Sequence, residues 1–115
     1  GLSLLYSYNK DGVGVVTNLI QLKDEGQSGM EVDLQTNTGK CVWSLDSKQF
    51  YCGGIKGKGE QEGLYQFDLT KKEFGLVFQS SSADQIKIER PFLSPIENII
   101  FFTNGYDQYL YSISL

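Results

Sequence analysis

The chain has 115 residues, with 10 basic and 14 acidic side chains, a net charge of −4 and no histidine. That length can bury the core of one domain. Arg90 is the sole arginine, which excludes the basic, arginine-bearing patch that nucleic-acid phosphates require. The excess acidity needs no acidic or basic partner to explain it, because it keeps a small protein soluble. No apolar run approaches the roughly 18 residues of a membrane helix. No basic-apolar-small leader is present either, so either export is not encoded in these residues or its signal is expected upstream of residue 1, with a membrane anchor, where there is one, outside them.

Helical periodicity is missing. No apolar stripe at i, i+3, i+4, i+7 persists for three turns, and 13 glycines punctuate the chain. Seven tyrosines and seven phenylalanines, with many valines, isoleucines and threonines, favour strands. In chain order the first strand is expected at Leu2–Tyr8, followed by the turn-forming Asn9-Lys10-Asp11-Gly12. Strands near Asn18–Lys23 and Met30–Leu34 follow, then the small polar connector Gln35–Gly39. A second group is expected at Lys40–Ser44, Gln49–Gly53, Gly63–Leu69 and Glu73–Gln79. After the connector Ser80–Gln85 come Ile86–Ser94, Ile99–Thr103 and Gln108–Leu115.

Two phrases recur through these strands. LIQLKD at 19–24, LYQFDL at 64–69 and LYSISL at 110–115 are spaced by 45 and 46 residues. SLDSKQFYCGG at 44–54 and SPIENIIFFTN at 94–104 are spaced by 50, and GLSLLYSYN at 1–9 fits the tail of that phrase. A period in the forties marks a propeller blade or a similar stacked unit. The expected fold is therefore all-β, about two and a half four-stranded antiparallel blades. Residues 1–39 form a partial blade (strands b-c-d), 40–85 a complete blade, and 86–115 a partial blade (a-b-c). A two-sheet sandwich also uses many short strands, but it does not call for near-identical phrases at a fixed period. Matching positions of successive repeats make Trp43, Phe50, Tyr51, Phe67, Ile100, Phe101 and Ile113 the expected core.

CVWSLDSKQFYCGG, GLYQFDLTKKEF and PFLSPIENIIFFTNGYDQYLYSISL resemble blades of the TolB-type, WD40-like bacterial β-propellers, whose repeat runs roughly W-S-P-D-G-K-x-I-x-F and then L-Y-x-I-D-L-x-T-G-E. The likeness is strongest to the last blades of cell-surface propellers with cysteines in the first two strands. Ser47 and Lys72 stand where that repeat has glycine, and Ile96-Glu97 where it has Asp-Gly. Propellers have about four to eight blades, so these residues are expected to be part of a larger ring. The remaining blades of the same polypeptide, or identical copies, would complete it. The resemblance implies that a strand from an N-terminal region latches the last blade beside Gln108–Leu115, whose Tyr109 and Tyr111 would otherwise lie on an open edge.

Cys41 and Cys52 are symmetric about Asp46-Ser47, so a hairpin with that two-residue tip sets them opposite each other. Opposed Cα atoms sit about 4.5–5.5 Å apart, within reach of a disulfide. A simple two-residue loop makes theirs a hydrogen-bonded pair, the less comfortable geometry, unless a bulge alters the parity. Two buried thiols are the alternative. A disulfide places the chain in an oxidising, extracytoplasmic compartment, periplasmic or cell-surface. No zinc shell is expected from two cysteines without histidine, and no cofactor or other metal is called for. Asn9-Lys10-Asp11-Gly12 lacks the distal glutamate of a calcium loop.

Catalytic residues are expected to be absent, since no Ser-His-Asp or Cys-His arrangement can form. Glu60 and Glu62 fall in a Gly/Lys/Glu-rich loop where solvated charge is the plainer reading. The run from Gly53 to Gly59 lacks the Gly-Lys-Ser/Thr ending of a phosphate cradle and reads as a flexible loop. Connectors Asn9–Thr17, Gly54–Glu62 and Asn104–Asp107 are expected at one end of the ring, where loops on rigid scaffolds carry binding. Asn104, Tyr106 and Asp107 are the candidate ligand-loop residues. The expected function is a non-enzymatic protein- or glycan-binding platform. The alternatives are the accessory propeller of a prolyl-peptidase-like hydrolase, with its catalytic residues elsewhere, and a small self-assembling lectin.

Overall fold

A computed structural model describes residues 2–23, 26–58 and 60–115. These residues form strands β1 (Leu2–Lys10), β2 (Gly14–Lys23), β3 (Gly26–Glu31), β4 (Cys41–Trp43), β5 (Gln49–Gly54), β6 (Gly63–Asp68), β7 (Glu73–Gln79), β8 (Ile88–Leu93), β9 (Ile99–Asn104) and β10 (Leu110–Ser114). A single 3₁₀ turn, Thr38–Lys40, precedes β4. The strands make three antiparallel sheets in which chain neighbours pair: β1-β2-β3, β4-β5-β6-β7 and β8-β9-β10. The fold is all-β.

Two apolar layers join the sheets. Leu19, Val32 and Leu34 meet Phe50, Cys52, Tyr65 and Phe67 between the first and second sheets. Tyr51 and Leu64 meet Ile86, Ile88, Ile100 and Phe102 between the second and third. Side chains alternate across a strand, so β5 sends Phe50 and Cys52 one way and Tyr51 the other, and all three are buried. Phe50 also stacks on Phe67 with ring centroids 4.9 Å apart, while Trp43 meets it edge-on at 5.0 Å.

Several expectations need correction. The stretch Asn9–Thr17 is mostly hairpin: β1 runs to Lys10, β2 begins at Gly14, and only residues 11–13 turn. Val13, Val15, Val16 and Thr17 are β-branched and prefer the extended backbone. Gly53 and Gly54 belong to β5 and are buried, not part of a flexible loop. A Cβ on Gly53 would lie 2.5 Å from that of Ile88, and one on Gly54 2.7 Å from the Gln35 carbonyl oxygen. These glycines let the flanking sheets approach β5 from both sides.

The β4–β5 turn also differs from a two-residue loop. The Ser44 N–H donates to the Gln49 carbonyl at 3.0 Å, enclosing four residues, with Ser47 left-handed at φ 59°. The β8–β9 turn repeats it fifty residues on, with Ser94 donating to Ile99 and Glu97 at φ 57°. Hydrogen-bonded and non-hydrogen-bonded pairs alternate along an antiparallel ladder. Closure at Ser44–Gln49 therefore makes Cys41–Cys52 a close, non-hydrogen-bonded pair.

Of the expected core, Phe50, Tyr51, Phe67 and Ile100 are buried, whereas Trp43, Phe101 and Ile113 are half-buried. Trp43 and Ile113 still pack against the two layers. Phe101 does not; it stacks at 5.1 Å on Phe92, which is 50% exposed, on the outer face of the third sheet. The enclosed ring of this pair is Phe102, at 1% exposure. Phe102→Ala is expected to cost about 3–5 kcal/mol and Phe101→Ala clearly less, as measured by urea unfolding. Gly53→Ala should cost about 1–3 kcal/mol by overpacking against Ile88; an unchanged denaturation midpoint would contradict the close approach.

Candidate functional site

The first two sheets are stitched by a line of hydroxyl groups. Ser7 and Thr17 share a 2.6 Å hydrogen bond, Thr17 donates to the Thr36 carbonyl at 3.0 Å, and Thr36 donates to the Gly53 carbonyl at 2.7 Å. Thr17 and Thr36 are buried, so these bonds satisfy groups that water cannot reach. Nearby, Cys41 and Cys52 are disulfide-bonded, with Cα atoms 4.1 Å apart.

Lys40 ties the second sheet to the third. Its ammonium donates to both carboxylate oxygens of Glu62, at 2.8 and 3.1 Å, and to the Ile88 carbonyl at 2.9 Å. Glu62 accepts in turn from the Ile88 N–H. Both charged side chains are nearly enclosed, 13% and 11% exposed. Removal of either partner from such a pair leaves a buried, uncompensated charge.

Between these two sets of contacts lies a trough of about 710 Å³, open to solvent. Its walls are the β1–β2 hairpin from Val13 to Val16, the segment from Glu31 to Asn37, and Ile55–Lys58 with Lys40 and Glu62. The volume falls in the range of small-ligand sites, about 300–1,000 Å³. No aromatic ring lines it; the apolar contacts come from Val13, Val15, Val16, Val32, Leu34 and Ile55. Val13 and Val15 are 66% and 48% exposed. Glu31 pairs with Lys10, Asp33 with Lys56 and Glu62 with Lys40, at 3.6, 3.6 and 2.8 Å. Lys58 has no ion pair among the described residues.

The trough thus brings together two of the three expected connectors, Asn9–Thr17 and Gly54–Glu62, and excludes Asn104–Asp107. In that third turn Asn104 is buried at 3% exposure, and its side-chain amide oxygen Oδ1 accepts from the Lys87 and Tyr106 N–H groups at 3.0 and 3.2 Å. Asp107 accepts from the Tyr111 hydroxyl and from the Tyr109 N–H. Asn104 and Asp107 therefore brace the turn, while Tyr106 is exposed at its tip. Val13, Val15 and Asp33 line the trough without being among the residues expected to bind. Exposed valines on a hairpin are the signal that could have found the first two. Among the described residues no cluster of His, Cys, Asp or Glu could hold a metal ion, and no helix is long and apolar enough to cross a membrane. The arrangement offers contact surface and hydrogen bonds.

Comparisons with protein-family models, with curated proteins and with solved structures find no match.

Hydrogen bonds from Tyr111 and then from the Tyr109 main chain hold the Asp107 carboxyl below the usual carboxylate range, and the same bond to Asp107 raises the Tyr111 phenol. A depressed carboxyl stabilises the fold above its unfolded pKa and loses that contribution as pH falls through the folded one. The β9–β10 turn is therefore expected to keep its bracing at pH values where an unfolded aspartate is already taking up its proton. Carboxyl-detected NMR titration checks this, and Tyr111→Phe should move the Asp107 midpoint upward.

Proposed function

We propose that the chain is a non-catalytic β-propeller segment, serving as a protein- or glycan-binding platform of an extracytoplasmic or cell-surface protein. The observation carrying this reading is the agreement between repeat position and sheet face. Phe50 and Ile100, one period apart, both face the preceding sheet. So do Phe67 and Ile113. Tyr51 faces the following sheet, and its counterpart Phe101 points where a following sheet would lie. Identical facing in successive units is what a rotating stack of blades requires.

The same rule explains the apolar surface left open at both ends. Leu4, Tyr6 and Leu22 are 50%, 39% and 39% exposed on the outer face of the first sheet, where the repeat would have a preceding blade. Phe92 and Leu110 are 50% and 64% exposed on the outer face of the third. Arg90 stands fifty residues after Lys40 and is exposed. Lys40 reaches an acceptor on the next sheet; Arg90 occupies the matching place at the open end. Further sheets of this kind, in the same polypeptide or in identical copies, cover both faces and complete the ring. The disulfide fits an oxidising compartment. With carboxylates engaged by lysines and no histidine, the platform binds its partner without turning it over.

Sedimentation equilibrium tests the stack. The 115-residue chain is expected to self-associate, and Leu4→Lys with Phe101→Lys should each reduce that association. A soluble, cooperatively unfolding monomer at all concentrations would sink the propeller reading.

A further inference from the structure

The trough is bounded by a strand edge that its own sheet leaves open. β3 pairs with β2 only as far as Glu31 opposite Asn18, and the Val32 N–H then donates to the Thr17 carbonyl at 2.8 Å. Beyond that point the chain turns away from β2, with Leu34 N–H bonded back to the Val32 carbonyl and Gln35 bridged to Ile55 of the second sheet. β2, however, continues to Gly14, paired with β1 on its other side through Asn9–Val15 and Lys10–Gly14. Along an antiparallel strand the main-chain groups of alternate residues point to the same side. Val15 therefore directs its N–H and C=O as Thr17 does, toward the side that β3 has vacated. That side is the trough.

We infer that the trough takes an extended peptide, which adds to the β2 edge at Val15 where β3 leaves off. The inference rests on the binding-platform reading and names the partner. Strand addition supplies main-chain hydrogen bonds, and its specificity comes from alternate side chains. Here one row of peptide side chains meets Val13, Val15 and Ile55, which calls for aliphatic residues at alternate positions. The lining argues against a sugar, whose C–H faces pack on aromatic rings, because none is present. Charge sets the end of the peptide. Glu31, Asp33 and Glu62 are each matched by a lysine, so among the described residues Lys58 is the lining cation without an ion pair, and it favours a carboxylate, as an acidic side chain or a free C-terminus.

The decisive variant is Val15→Pro. It removes the N–H that the peptide would use, and the residue pairs with Asn9 without needing that N–H for the β1 ladder, so edge proline is tolerated there. The 115-residue chain is tethered at low density to a biosensor surface and exposed to a heptapeptide alternating valine and threonine with a free C-terminal carboxylate. Saturable binding is expected, weakened about tenfold or more by Val15→Pro and about tenfold by either Lys58→Glu or the C-terminal amide. A peptide N-methylated at alternate residues should not bind. Unchanged amide hydrogen exchange in β1 and β2 shows that the variant keeps its hairpin. Equal binding by the N-methylated peptide, or by Val15→Pro, overturns the inference. Binding of an oligosaccharide to the trough with no peptide binding also overturns it but leaves the platform reading standing. If neither binds, the peptide inference and this trough's role in the platform fail together, while the stack is judged separately by sedimentation.

Discussion

Everything else in this molecule depends on β5 being buried on both faces. A three- or four-stranded sheet of this size cannot hold its own shape in water unless at least one face is covered, and only the central sheet has both covered. Phe50 and Cys52 serve one layer and Tyr51 the other, and Gly53 and Gly54 let Ile88 and Leu34 come close where β5 ends. Each fully buried aromatic or aliphatic side chain contributes about 1.5–3 kcal/mol. Among the described residues, the seven apolar side chains at or below 1% exposure besides cysteine, including Phe50, Phe67, Ile100 and Phe102, all lie in these two layers. Loss of either layer would strand β5 with a wet apolar face.

The turns carry strain that the layers offset. Ser47, Lys72, Glu97 and Gln108 have φ between 56° and 66°, a region that costs a non-glycine residue roughly 1–2 kcal/mol. Local hydrogen bonds offset part of this. Ser44 Oγ donates to Asp46 at 2.7 Å and Ser94 Oγ to Asn98 at 2.9 Å, while Asp68 accepts from the Thr70 and Lys71 N–H groups. Glycine would adopt this backbone without that cost. Polar side chains that bond their own turn explain how this chain keeps the conformation without it.

What could be read from the residues was whatever repeats. Strands β4 to β10 stand near their expected positions because the fifty-residue spacing carries the same turn and the same inward residues twice. The first unit was less legible. Its turn Asp11-Gly12-Val13 sits between β-branched residues, so the polar Asn9-Lys10 masked the point where the strand continues. Phe101 was misplaced for a different reason: repeat position fixes which face a residue occupies, and only the stack decides whether that face is covered. The glycine run misled because composition cannot separate a glycine chosen for flexibility from one chosen for close approach. The trough was invisible because it arises from the unequal lengths of β2 and β3, a property of pairing and of no single residue.

The trough and the interface beneath it are one structure, which has a consequence for binding. Thr36 lines the trough and also donates its hydroxyl to the Gly53 carbonyl, while its own carbonyl accepts from the buried Thr17. Leu34 lines it and packs in the first apolar layer. Lys40 and Glu62 close its far side and bond across to Ile88 of the third sheet. A ligand seated there rests on groups already immobilised by the two layers, so little additional order has to be imposed when it binds. Conversely, any separation of the first sheet from the second would break the hydroxyl line and dismantle the trough wall at Thr36. The stacking of sheets that stabilises this chain is therefore also what holds the trough in shape.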